Sequence, residues 1–254
     1  MIKKTFKDNV RLQEFSLARL IPNIVTIGAL CSGLSAIRFA MLERFDIAVL
    51  AILVAAFLDA LDGRLARLLK VTSEFGAEMD SLSDFISFGV SPAVVLYMLS
   101  LNKWGGLGWG VSLFFAVCMA FRLARFNVMN IIHKDETAAS GKPSAYFLGM
   151  PAPAGALTAL LPLILYTALE DPILIHPAVC TIFLVFAGLV MISRLPTFSF
   201  KTMKIKRQWA LPILVMAAIS IAALINSPWE TLSVIIILYL MTIPISILRA
   251  RRGQ

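Results

Sequence analysis

Asp59, Asp62, Asp80 and Asp84 lie in or beside two long apolar runs, where an acidic side chain is out of place. An acid at the centre of a membrane helix costs roughly 2.5–3.5 kcal/mol on insertion, so carboxylates kept there are functional by default. Asp59, Asp62, Gly63 and Ala66 stand at i, i+3, i+4 and i+7 and form one stripe of a helix. Gly76, Asp80 and Asp84, at i, i+4 and i+8, form a stripe on the next. Between them, Lys70 to Glu74 can make the turn of an antiparallel hairpin. About residue 72 as its centre, Asp59 is 13 residues before and Asp84 is 12 after, while Asp62 is 10 before and Asp80 is 8 after. At 1.5 Å rise per residue, both pairs reach about 12–20 Å from the turn. Four carboxylates from two neighbouring helices can therefore converge on one point.

Four ionised carboxylates in a poorly solvated site repel one another, so some must protonate or be neutralised by bound cations. Two divalent cations balance four negative charges. Oxygen-only ligation selects hard ions, Mg²⁺ first, with Mn²⁺ or Ca²⁺ as further occupants. His133 and His176 are the only histidines, and neither sits in this segment. Gly63 and Gly76 remove side chains one turn from the acids and leave room for a substrate, although small residues in membranes also serve close helix packing. Two other readings stand beside this one. The acids could be paired with Arg64, Arg67 or Arg38, or they could line a cation or proton path in a transporter.

The elements that must carry these residues follow from composition. Of 254 residues, 59% are hydrophobic and 15% charged, with a mean hydropathy of +0.85. That is far from the roughly 25% charged residues of a soluble domain, and it predicts an all-α, polytopic transmembrane helix bundle. Eight candidate spans lie near 20–40, 47–69, 76–100, 106–130, 148–168, 173–193, 208–227 and 231–248. Of 23 basic residues, 20 fall on one side and only Arg38, Arg44 and Lys103 on the other, so both termini are expected in the cytoplasm. The net charge of +8 is thus an orientation signal, and no nucleic-acid partner is expected. Residues 1–19 read as an interfacial amphipathic segment, with Ile2, Phe6 and Val10 at helical spacing among Lys3, Lys4, Lys7 and Arg11. Residues 20–248 form one transmembrane domain and 249–254 a basic cytoplasmic tail. Cys31, Cys118 and Cys180 stand singly in apolar runs and suggest neither a disulfide framework nor a zinc site.

At the acidic stripes the chain resembles the CDP-alcohol phosphotransferase family, whose pattern is D-x-x-D-G-x-x-A-R, eight residues, then G-x-x-x-D-x-x-x-D. Asp59, Asp62, Gly63, Ala66, Arg67, Gly76, Asp80 and Asp84 fill every fixed position of it within 26 residues. Three further stretches, FRLARFN at 121–127, GMPAPAGA at 149–156 and SRLPTFSFK at 193–201, look like the integral-membrane bacterial phosphatidylserine synthases of that family. The resemblance implies transfer of a phosphatidyl group from CDP-diacylglycerol to L-serine in the bacterial inner membrane, with CMP released on the cytoplasmic side. It also implies that Asp59, Asp62 and Asp80 bind two metals, and that Asp84 contacts the second and acts as general base. Gly63, Ala66, Arg67 and Gly76 would form the nucleotide pocket, with Asn23 and Thr26 in support. Family members suggest a homodimer among membrane lipids.

For the acceptor, Arg122 and Arg125 can share one helix face near the cytoplasmic end of their span and offer a cation to the serine carboxylate, with Asn127 nearby. They could equally be interfacial anchors. Within the family, other acceptors are glycerol phosphate, inositol or an inositol phosphate.

Overall fold

The computed structural model describes residues 17–69, 71, 73–140, 147–148, 150–193, 196–197 and 210–252. Helices dominate, and each begins or ends where the sequence supplies a reason. α1 (Leu17–Met41) and α2 (Phe45–Leu69) are joined by a tight turn, in which Glu43 adopts a left-handed φ of 58° and the Arg44 amide donates to the Phe39 carbonyl at 2.9 Å. α2 stops at Leu69 and α3 (Glu74–Asp84) starts after Ser73, whose hydroxyl accepts the Gly76 amide at 3.0 Å as an N-cap. The expected hairpin turn at residues 70–74 is thus present, although residues 70 and 72 lie outside the described set.

The span expected at 76–100 is one rod with an irregular middle. α3 passes into a π-helical segment, Phe85–Val90, and then into α4 (Ser91–Leu99). The π segment begins on the residue after Asp84. Such wide turns are rare and recur at functional sites, because they re-aim the side chains on either side.

α5 (Gly106–Ser140) continues ten residues beyond the span expected to end at 130. α6 (Ala152–Leu169) starts later than expected, after Pro151, with proline in its first turn where a missing amide costs nothing. α7 (Pro177–Ile192) also starts on a proline, and the His176 ring accepts the Ala178 amide at 3.3 Å as its cap. α8 (Ala210–Asn226) and α9 (Pro228–Arg252) form a final hairpin, so residues 249–252 continue a helix rather than forming a separate tail. Two short strands, β1 (Phe147–Leu148) and β2 (Pro196–Thr197), pair antiparallel between the connections that precede α6 and follow α7. The amphipathic segment expected at residues 1–19 falls largely outside the described residues, which start at 17.

Among the described residues, four helical stretches are long and apolar enough to cross a membrane: Leu20–Met41, Glu74–Leu99, Gly106–Met129 and Ala152–Leu169. α2 is as long as α1 and as apolar on average, but Asp46, Asp59, Asp62, Arg64 and Arg67 give it more charges than an ordinary span carries. The chain is therefore an all-helical integral membrane protein. Many large apolar side chains face outward, among them Ile24, Phe57, Leu107, Ile182 and Ile225, as a bundle in lipid requires.

Close packing of small residues holds the site helices together. Ala36 and Ala40 of α1 and Ala48, Ala51 and Ala55 of α2 are all buried, and the Ser32 hydroxyl donates to the Ala51 carbonyl at 2.8 Å. On its other flank α1 meets α3 and α4 along a ladder of serines at i, i+4 and i+8. Ser83, Ser87 and Ser91 donate to the carbonyls of Thr26, Ala29 and Gly33 at 3.3, 3.3 and 2.8 Å. Interhelical hydrogen bonds in membrane proteins average about 0.6 kcal/mol, so three contribute about 2 kcal/mol and mainly set register. The approach is closest at Gly33, where a Cβ would fall 2.3 Å from Ser87 Oγ and 2.7 Å from Ser87 Cα. Part of that obstacle is backbone, so a side chain at 33 must push the rods apart. Gly33→Leu is therefore expected to lower stability by about 1–3 kcal/mol or more, read as thermal unfolding in detergent. Gly110→Leu, where a Cβ meets nothing within 4 Å, should leave the transition unchanged.

Candidate active site

The hairpin of α2 and α3, laid against α1, brings the acids together in two layers. Asp59, Asp62 and Asp80 each present a carboxylate oxygen within 4.8 Å of the others. Asp59 also interacts electrostatically with both Asp80 and Asp84. Asp62 is buried, 4% exposed, and the other three are half-buried. Thr26 Oγ1 lies 2.6 Å from Asp62 Oδ2 and donates its proton there. Thr26 thus joins all three helices: its hydroxyl holds α2 through Asp62, and its carbonyl accepts Ser83 of α3.

Asp62 and Asp80 form the floor of a cavity of about 180 Å³ lined also by Asn23, Thr26, Gly63, Ala66, Arg67 and Gly76. All six residues expected to receive a nucleotide therefore share one surface. That volume is below the roughly 300–1,000 Å³ of a site enclosing a drug-sized ligand, so it suits part of a larger molecule whose remainder extends outward. The two glycines have separate reasons. A Cβ on Gly76 would sit 3.1 Å from both Asn23 Oδ1 and Ser73 Oγ, so this glycine lets α3 approach α1. A Cβ on Gly63 would reach the Arg67 guanidinium at 3.8 Å, which places that cation directly over the glycine. Arg67 and Arg64 are both exposed rather than buried against the acids. Val71, Ser73 and Ala77 also line the cavity. They lack the charge or periodic spacing that would single them out in the sequence.

Asp59 and Asp84 are absent from that lining and belong to the deeper layer, where Arg122 of α5 faces them electrostatically. Arg122 Nε donates to the Met150 carbonyl at 2.7 Å, just ahead of α6. Arg125 is turned elsewhere. Its Nη1 donates to Ile192 O and its Nη2 to Met191 O and Ser193 O, both at 3.3 Å. These are the last carbonyls of α7, which no intrahelical amide satisfies, so Arg125 caps that helix. Asn127 turns to α3, its Nδ2 donating to Ser81 Oγ at 3.0 Å, and so fixes α5 beside Asp80. The two arginines expected to act together thus have different surroundings, and spacing along α5 does not reveal this. Their partners come from α6 and α7.

The chain matches the model of the CDP-alcohol phosphatidyltransferase family over residues 19–192, and a second model described as CDP-alcohol phosphatidyltransferase 2 over 208–244. It belongs to the CDP-alcohol phosphatidyltransferase family. Among curated relatives, a CDP-diacylglycerol–serine O-phosphatidyltransferase of Mycobacterium tuberculosis is 35% identical over 229 residues, covering 90% of this chain and 78% of its own. The Helicobacter pylori protein of that name is 35% identical over 225 residues, 87% of this chain and 88% of its own. One from Methanocaldococcus jannaschii is 36% identical over 181 residues, 70% of this chain and 75% of its own.

The bonds of Arg125 to the end of α7 have a measurable consequence. Hydrogen bonds from a charged donor contribute about 1.5–3 kcal/mol, so Arg125→Met should lower thermal stability in detergent by about that much. Arg125→Lys, lacking the planar fork, should recover only part of the loss.

Proposed function

We propose that the protein transfers the phosphatidyl group of CDP-diacylglycerol to the hydroxyl of L-serine, giving phosphatidylserine and CMP. The observation that carries this reading is the meeting of Asp59, Asp62 and Asp80 beside a cavity, with Asp84 behind them. The choice of serine rests on the names of the relatives, which agree across distant organisms.

The donor set suits hard divalent cations. Every ligand is a carboxylate oxygen, and four negative charges need about two such ions to balance them. Asp59, Asp62 and Asp80 would hold Mg²⁺ or Mn²⁺, with Ca²⁺ as another occupant and Asp84 beside the second ion. Bound there, the pair would neutralise the pyrophosphate and stabilise charge on the attacking and departing oxygens.

The chain's own groups then divide the remaining work. Arg67, at the cavity's open side over Gly63, offers a guanidinium to a phosphate or to the cytidine. Thr26 holds the Asp62 carboxylate in one orientation, while Asn23 and Gly76 shape the wall opposite. Asp84 takes the proton of the serine hydroxyl. As the serine oxygen bonds to the phosphatidyl phosphorus, the bond from that phosphorus to CMP breaks, and CMP leaves with the electron pair. Arg122, close to Asp84, pairs with the serine carboxylate; Asn127 and Arg125 serve the acceptor side by fixing α5 against α3 and α7.

The proposed setting is a bacterial inner membrane crossed eight times, with both termini and the cavity on the cytoplasmic side. That reading is supported by the even number of helical rods among the described residues and by the one-sided basic residues. Residues 1–19 would lie on its anionic surface, residues 20–248 would form the catalytic domain, and the basic end from 249 would stay in the cytoplasm. Homodimer formation is carried by the family resemblance, and cross-linking in native membranes tests it.

The deciding experiment is CMP release from CDP-diacylglycerol by purified protein, with and without serine and Mg²⁺ or Mn²⁺. The expected result is release that requires both. Release with glycerol phosphate or inositol but not serine would reassign the acceptor, and ion flux in sealed vesicles without CMP release would point to a transporter. Asp84→Asn should retain CDP-diacylglycerol binding and lose at least about 10²-fold in turnover, in line with removal of a general base. Arg122→Ala should raise the KM for serine about tenfold or more and leave that for CDP-diacylglycerol within about twofold.

A further inference from the structure

α9 carries a polar group that the proposed chemistry does not yet use. The hydroxyl of Tyr239 is sealed from solvent and, among the described residues, has no hydrogen-bond partner. A buried phenol ordinarily finds one, and leaving it unmade costs about 1–3 kcal/mol. A group of this kind that persists calls for a function.

Its neighbour supplies one. Arg122 and Tyr239 interact electrostatically across the bundle, and Arg122 in turn faces Asp84 and Asp59. Arg122 engages Met150 through Nε alone, so among the described residues Nη1 and Nη2 remain for an anion. Tyr239 reaches this place because α9 packs on α6, whose entry Arg122 holds. Next to Tyr239, Leu232, Ile236 and Ile243 of α9 are buried against the same core, which orients the helix and therefore the phenol.

We propose that Tyr239 is a specificity-determining residue of the acceptor site, its hydroxyl donating to the carboxylate of the amino-acid alcohol beside the Arg122 guanidinium. The inference rests on the reading of the protein as a serine phosphatidyltransferase. It adds that α9 of the C-terminal hairpin, far from the acidic stripes in sequence, selects the acceptor. A planar guanidinium and a phenol O–H are both donors, and together they match the two oxygens of a carboxylate. An acceptor with a neutral group at that position lacks the charge and the second oxygen that such a pair of donors matches.

The test is steady-state CMP release by full-length protein in detergent, comparing wild type with Tyr239→Phe, and L-serine with serinol, which replaces the carboxylate by a hydroxymethyl group. Losing a hydrogen bond to a charged group predicts a KM for serine raised about tenfold or more, with the KM for CDP-diacylglycerol within about twofold. With serinol, wild type and Tyr239→Phe should be equally slow, so the preference for serine over serinol falls about tenfold. Tyr239→Leu, which also lacks the hydroxyl, should show the same acceptor-specific loss if Tyr239→Phe cannot be purified. An unchanged serine KM in a wild-type enzyme that does use serine, or equal losses for serine and serinol, would overturn the assignment and leave the proposed activity standing. Absence of serine-dependent CMP release from wild type would overturn the activity itself, and this assignment with it.

Discussion

Mutual repulsion of four carboxylates within an apolar bundle is the constraint on which the rest of the structure turns. A single acid in a span can be tolerated by snorkelling, but Asp59, Asp62, Asp80 and Asp84 stand so close together that some must be protonated or neutralised by bound cations. Neighbouring helices must hold them against whatever repulsion remains. Helix α1 provides the brace. Through Thr26 it grips Asp62 on one side and the Ser83 hydroxyl on the other, and through the small residues at 29 and 33 it admits the rod bearing Asp80 and Asp84 to close contact. The serines matter here less for their energy than for their directionality, since apolar packing alone would let two helices slide by a turn. Such a slide would move each acid by about 5.4 Å along the axis and separate the carboxylate pairs.

The two layers of acid also divide the site. Asp62 and Asp80 line the cavity with Arg67, and in the proposed reaction would meet the end of the substrate that carries the nucleotide. Asp59 and Asp84 lie behind them and face Arg122 instead. The π segment starting at Phe85 follows directly on Asp84, at the end of the deeper layer. By widening the helix there it separates the orientation of Asp84 from that of the apolar residues that follow, with Phe88 packed into the core at 1% exposure. A regular helix through 76–100 would link the two orientations rigidly.

How much of this could be read from the chain follows from the range over which each feature is determined. The acidic stripes and their glycines were legible because helix periodicity and a short turn decide them within 26 residues. The all-helical membrane class was legible because the bilayer imposes a length and a composition on every span. The serine ladder was visible in principle, as Ser83, Ser87 and Ser91 recur at helical spacing, but serines in a span are common and nothing local names their partner. Arg122 and Arg125 look equivalent along α5, and only the arrival of Met150 ahead of α6 and of Ile192 at the end of α7 distinguishes them. The π segment left no pattern, since the apolar run through it reads the same with 3.6 or more residues per turn.

This difference in range bears on how one scaffold serves several alcohols. The groups assigned to the CDP end come from a continuous hairpin and the start of α1, so they travel together as one motif. The groups assigned to the acceptor come from α5, the entry to α6 and α9, joined only by packing. A substitution on α9 can alter what is offered to the alcohol without touching a single carboxylate. Chemistry at phosphorus is the same for every acceptor, whereas the alcohol differs in charge and size. A fold that places the shared step on local sequence and the variable step on distant helices can change one while keeping the other, and the separate environments of Asp62 and Asp84 have that consequence.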